Sequence, residues 1–128
     1  MIFKRNEGFR FAFGEPIYAN FVVRVNGKPL DLERTHYPCQ ILDISPHGMK
    51  MFADAKISEH SNKLIQLEVI FLLDETTIRA VGEIVWARPY GRGTHYGLIF
   101  ENQPGIEELI TSELKLRRKK EIQRGKVK

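Results

Sequence analysis

Apolar and polar residues alternate with a period of two through most of the chain up to Phe100, the signature of half-buried strands. Phe9, Phe11 and Phe13 alternate with Arg10, Ala12 and Gly14, an extended lead-in with its aromatics on one side. Pro16–Val25 reads as a strand closed by Asn26-Gly27, a favoured type I′ hairpin pair. Pro29–Tyr37 is polar and fits either a second short strand or a loop. Cys39–Ile44 is a strand running into Ser45-Pro46-His47-Gly48, with proline and glycine placed for a type I turn. Met49–Phe52 restarts the chain briefly before an irregular polar connection over 53–62. Lys63–Leu73 puts Ile65, Leu67, Val69 and Phe71 on one face. Asp74-Glu75 turns the chain into Thr77–Ala87, where alternation gives Ala80, Gly82, Ile84 and Trp86 a shared side and places the indole in the core. Pro89–Gly93 is a turn and Thr94–Phe100 a last strand.

The period changes after Pro104-Gly105. Ile106, Leu109, Ile110 and Leu114 form a stripe at helical spacing, with Glu107 and Glu108 in the first turn and basic residues at the far end. Both charge placements suit the helix macrodipole. About six short strands joined by tight turns, then one helix, predict a mainly β protein: a small six-stranded antiparallel (split) β-barrel with a C-terminal α-helix. The expected organisation is an N-terminal arm over 1–14, a barrel over 15–103, and a helix with a basic tail over 104–128.

Composition adds three constraints. The 128 residues, 42% apolar and 28% charged, fit one globular domain large enough to fold without a staple. The net charge of +4 is unevenly spread. Residues 115–128 hold eight of the 20 basic side chains and, at Glu121, one of the 16 acidic ones; residues 1–114 carry 12 basic against 15 acidic groups. An acidic body with a basic tail is not the profile of a dedicated nucleic-acid binder, and the tail lacks interleaved aromatics for base stacking, so nucleic acid is not the expected partner. A solvated helix end, a protein-docking surface and an acidic membrane are its open readings. Cys39 is the single cysteine, so no intrachain disulfide forms and a reducing cytoplasm is the expected location. The charged start, Met1–Arg10, is not a signal peptide, and the longest apolar run, Val69–Leu73, is far short of the roughly 18 residues a membrane span needs.

Two segments carry candidate chemistry. Asp43-Ile44-Ser45-Pro46-His47-Gly48 has the form D-x-S-x-x-G, and on a strand it aims Asp43 and Ser45 to one side and Leu42 and Ile44 to the other. A glycine in such a turn lets a ligand approach the backbone. Lys4-Arg5-Asn6-Glu7-Gly8-Phe9-Arg10 is a cationic entry segment. With Gly82-Glu83-Ile84-Val85-Trp86 and Tyr96-Gly97-Leu98-Ile99-Phe100, these segments resemble a PilZ domain from about Arg5 to Phe100. The resemblance implies a small β-barrel that binds cyclic di-GMP through an R-x-x-x-R arm and a (D/N)-x-S-x-x-G strand end, and that signals to a protein partner. Asp43, Ser45 and Gly48 match the second motif in full.

The implied ligand suits these residues. A guanine offers O6 and N7 to an arginine fork, and N1–H and N2–H₂ to a carboxylate. The arm departs from the pattern. Four positions before Arg10 stands Asn6, and the other arginine, Arg5, is five before. Side chains five apart on an extended chain face opposite ways, so either Gly8 permits a bulge or Asn6 takes the vacant place. The implied ligand set is thus Arg5, Asn6, Arg10, Asp43, Ser45 and Gly48, with no cofactor and no metal.

Each of these residues also has a plainer reading. Ser45 and Asp43 suit an ordinary turn, and Arg5 and Arg10 a solvated terminus. Cys39, with His36, His47 and His60 elsewhere, lacks the converging spacing of a metal site and reads as packing. No paired carboxylates, P-loop, nucleophile elbow or metalloprotease motif is present, which argues against an enzyme.

Overall fold

The alternation is expressed as seven strands and one helix in the structure, a computed structural model that describes residues 10–29, 35–54, 65–101, 103 and 105–127, with side chains described up to 122. The strands are β1 (Phe11–Val25), β2 (Lys28–Pro29), β3 (Tyr37–Ser45), β4 (Gly48–Ala53), β5 (Ile65–Leu73), β6 (Thr76–Tyr90) and β7 (Gly93–Phe100). The helix α1 spans Ile106–Val127. All described pairings are antiparallel, in the order β2-β1-β3-β4-β7-β6-β5, and β5 returns to pair with β1 from Ala19↔Phe71 to Val25↔Ile65. Six strands thus close a barrel and β2 is a short addition, so the polar Pro29–Tyr37 stretch holds only the end of β2 and the start of β3 among its described residues.

The predicted inward faces are the observed ones along β5. Leu67, Val69, Phe71 and Leu73 are buried inside, and Ile65 packs against them. Asn26 and Gly27 have φ of 52° and 84°, the two positive values a type I′ turn requires. β6 and β7 run further than the pattern implied: Pro89, Tyr90 and Gly93 are strand residues, and the turn is Gly91–Arg92 alone. β1 likewise starts at Phe11, whose register partner is Ile44, so strand pairing begins within the segment read as the arm.

One strand breaks the alternation at a place that matters. Between Ile41 and Asp43 the register of β3 on β4 slips by one, so Leu42 is an extra residue. Ile41 and Ile44, three apart, are both fully buried, which corrects the expectation that Leu42 shares a face with Ile44. The acid remains on the outer side.

Helix α1 adds Ile110 and Leu114 to the barrel core, with Ile106 and Leu109 packed at its margin, the same four residues as the predicted stripe. Burying one such side chain is worth about 1.5–3 kcal/mol. Arg117 fastens the helix from its side: its guanidinium lies 3.1 Å from Asp74 Oδ1 in the β5–β6 turn, and 5.9 and 5.1 Å from the Phe11 and Phe13 ring centroids. At the helix start, Glu107 Oε2 is 3.3 Å from His47 Nδ1 in the β3–β4 turn. On the outer barrel face Glu68 is 5% exposed and pairs at 2.6 Å with Arg79, a buried acid that alternation does not announce.

Candidate functional site

The bulge at Leu42 sets Asp43 on the outer face at the end of β3, level with Ala12 of β1 and Lys50 of β4. β1 begins beside it, which brings Arg10 to the same point although 33 residues separate the two in sequence. Arg10 Nε and Nη2 each lie 2.9 Å from Asp43 Oδ1. Both bonds engage one oxygen, leaving Oδ2 to accept from another donor. The Arg10 side chain is 46% exposed, so its fork remains open to solvent.

Ser45 is brought to the same corner, but its hydroxyl is committed to the turn. Its Oγ accepts from the His47 N–H at 3.2 Å and lies 3.5 Å from the Gly48 carbonyl, and the residue is 1% exposed. This is the capping role that serine has in turns. Gly48 also has a structural task. A Cβ there would fall on the Leu98 carbonyl of β7, so the absent side chain admits the neighbouring strand. Arg5 and Asn6 lie outside the described residues.

A cleft of about 240 Å³ opens beside this corner, bordered by Arg10, Ser45, His47 and Gly48 on one side and by Trp86, Gly97 and Ile99 on the other. Trp86 is the residue that the alternation misplaced. The register of β6 on β7 slips between Ile84↔Leu98 and Trp86↔Gly97, so Val85 is a bulge residue. Ile84 packs against the core, and Trp86 turns outward, 39% exposed. A Cβ on Gly97 would strike the indole, so the ring rests on the bare backbone of β7, and the Arg88 guanidinium lies 5.5 Å from its centroid. The signal was in the sequence. Uninterrupted alternation that buries Trp86 would also bury Arg88 two residues on, an unpaired charge that a core does not accept.

That seat gives a direct test. Gly97→Ala evicts the indole, and the expected result is a red-shifted, more quenchable Trp86 emission in a barrel that still folds. An unchanged spectrum would show that the ring does not rest on Gly97.

Further along the same outer face, His95 stacks on Tyr90 at 4.3 Å and meets Phe52 edge-on at 5.6 Å. Desolvation, then the charges of Lys50 and Arg88, hold its imidazole below the usual pKa. Tyr96, its neighbour, is 3% exposed and belongs to the core. Burial pushes the Cys39 thiol up to about 12, which keeps it protonated and unsuited to nucleophilic or metal-ligand work at neutral pH. Among the described residues no three His, Cys, Asp or Glu side chains converge on a metal position.

A closed six-stranded antiparallel barrel with a terminal helix, and a cleft where the first strand meets the β3–β4 turn, defines the architectural class. The chain belongs to the PilZ domain family, whose model matches residues 5–115. Its fold is similar to that of the PilZ domain of YcgR from Escherichia coli, solved with c-di-GMP, with a TM-score of 0.59 and 12% identity over 88% of this chain and 93% of that one. It is also similar to YcgR of E. coli in complex with c-di-GMP, with a TM-score of 0.64 and 16% identity; there the match takes in 94% of this chain but 49% of the longer one. A search of curated proteins found no match. No helix among the described residues is long and apolar enough to cross a membrane.

Proposed function

We propose that this protein is a receptor for cyclic di-GMP and not an enzyme, and that the dinucleotide binds in the cleft beside Arg10 and Asp43. The observation that carries the reading is the Arg10–Asp43 pair itself, two motif residues 33 apart in sequence held at 2.9 Å, with Arg10 on the rim of a cleft that an outward tryptophan also lines. Both similar YcgR structures hold this ligand. Arg10 suits a guanine O6/N7 edge or a phosphate, Asp43 Oδ2 suits guanine N1–H and N2–H₂, and the Trp86 ring suits a purine face. The N-terminal segment with Arg5 and Asn6 closes over the ligand, an order–disorder switch that changes the surface offered to a protein partner in the cytoplasm. Ser45 and Gly48 shape the turn that positions Asp43.

A second reading, a protein-interaction module without a nucleotide, has one observation in its favour. Asn6 stands where the family pattern has arginine, and exchanging a charge-assisted contact of roughly 1.5–3 kcal/mol for a neutral one of about 1 weakens binding by about a decade. Calorimetric titration with cyclic di-GMP at physiological salt, with GMP as control, separates the two. Saturable binding at micromolar or tighter affinity is expected, with a matching rise in melting temperature. Neither heat nor a melting shift at high ligand would leave the interaction module as the function.

A further inference from the structure

On the outer face beside the cleft, Asp43 and Trp86 stand at the two ends of one cross-strand row. Asp43 of β3 is the register partner of Lys50 of β4, Lys50 of Gly97 of β7, and Gly97 of Trp86 of β6. Adjacent strands lie about 4.8 Å apart, so the row spans about 14 Å, with Lys50 beside the acid and no side chain between it and the indole. The arginine pattern of the N-terminal segment does not point to this lysine, which lies on β4 between the buried Met49 and Met51.

The charge balance beside the cleft favours a further cation on this face, where Lys50 and Arg88 both lie. Cyclic di-GMP is a dianion. The Arg10 guanidinium is paired with the Asp43 carboxylate, so these two groups together present no net charge to an incoming phosphate. Lys50 makes no ion pair among the described residues, and its field reaches across the face, since it is one of the two cations that lower the pKa of His95. An ammonium on a flexible stem is a compact point charge suited to a phosphate oxygen.

We infer that Lys50 is a ligand-binding residue whose ammonium neutralises a phosphate of the bound dinucleotide, supplying from β4 the positive charge that Asn6 does not supply from the N-terminal segment. The inference rests on the cleft being a cyclic di-GMP site, and the experiment keeps the two apart. Cyclic di-GMP is titrated into the wild type, Lys50→Met and Lys50→Arg at low and high salt. Lys50→Met is expected to bind about 5–20-fold more weakly, with a flatter salt dependence, because a charge that interacts at a few ångströms through partial solvent contributes on that scale. Lys50→Arg is expected to stay within about threefold of the wild type, since it keeps the charge. Adding Asn6→Arg to Lys50→Met is expected to recover most of the loss.

Wild-type affinity and salt dependence in Lys50→Met would overturn the assignment of Lys50 while leaving the receptor reading intact. A wild type that gives no heat would overturn both. The side chain faces outward, so the variants are expected to melt with the wild type. An NMR titration of His95, whose pKa rises when the Lys50 charge is removed, checks that the fold and the placement of that charge are retained.

Discussion

An Arg10→Ala protein is expected to show no saturable heat with cyclic di-GMP at concentrations that saturate the wild type, while unfolding within about 1 kcal/mol of it. The two halves of this result have different causes. The Arg10–Asp43 pair is solvent-exposed on the arginine side, at 46%, so its net contribution to stability is small. The expected loss of binding is large, because on the proposed reading the guanidinium makes two charge-assisted bonds of roughly 1.5–3 kcal/mol each to a guanine edge or phosphate, and losing both would cost affinity a hundredfold or more. Arg10→Lys keeps the charge without the fork and is expected to fall between. Calorimetry paired with a denaturation curve reads both halves, and retained affinity in Arg10→Ala would remove Arg10 from the site.

The largest expected loss of stability comes from a much smaller change, Gly48→Ala. The new methyl group would fall on the Leu98 carbonyl, which is backbone of β7 and not a side chain that can rotate away. β4 is hydrogen-bonded along its length to β7 from Gly48↔Ile99 to Ala53↔Thr94, so making room there means opening that ladder in a closed barrel. A cost of about 2–4 kcal/mol is expected, the range of overpacking combined with a broken backbone contact, and a melting temperature about 10 °C lower. Gly14→Ala is the control: nothing lies within 4 Å of a Cβ at Gly14, and its melting temperature is expected to match the wild type. A thermal melt in which both variants match the wild type would mean that Gly48 serves only ligand approach, as the motif alone suggests.

Much of this arrangement was legible in the residues. The inward faces of β5, the Asn26-Gly27 turn and the helical stripe Ile106, Leu109, Ile110 and Leu114 follow from periods of two and 3.6, which depend only on near neighbours. The D-x-S-x-x-G turn and Arg10 were recognisable as a pair of motifs, and the structure joins them. Two single-residue bulges are not marked by the period itself. One extra residue at Leu42 and one at Val85 invert every side chain that follows, and a period counted through them assigns the wrong face. A count through Val85 therefore puts Trp86 in the core, and only the charge of Arg88 two residues on argues against it. The row that joins Lys50 to Asp43 and Trp86 is hidden for a different reason, since it depends on β3, β4, β7 and β6 lying side by side, a fact of topology that no local window contains. The Glu68–Arg79 pair is of the same kind: it joins β5 to β6 across a sheet face, and only the register brings the two charges together.

The closure of β5 onto β1 has a consequence for signalling. Among the described residues the six barrel strands are each paired on both sides over part of their length, the short β2 ends in Pro29, which has no N–H to offer, and β6 from Ile84 to Tyr90 pairs with β7 alone. Along the doubly paired part of the barrel a partner would gain little purchase by adding a strand of its own, the backbone-driven and sequence-tolerant mode of capture. Recognition there would run through side chains on the outer faces or the basic helix. On the receptor reading, a partner's choice would then be sensitive to single substitutions there, and a rearrangement that repositions only a few side chains around Arg10 and Trp86 would be enough to alter it.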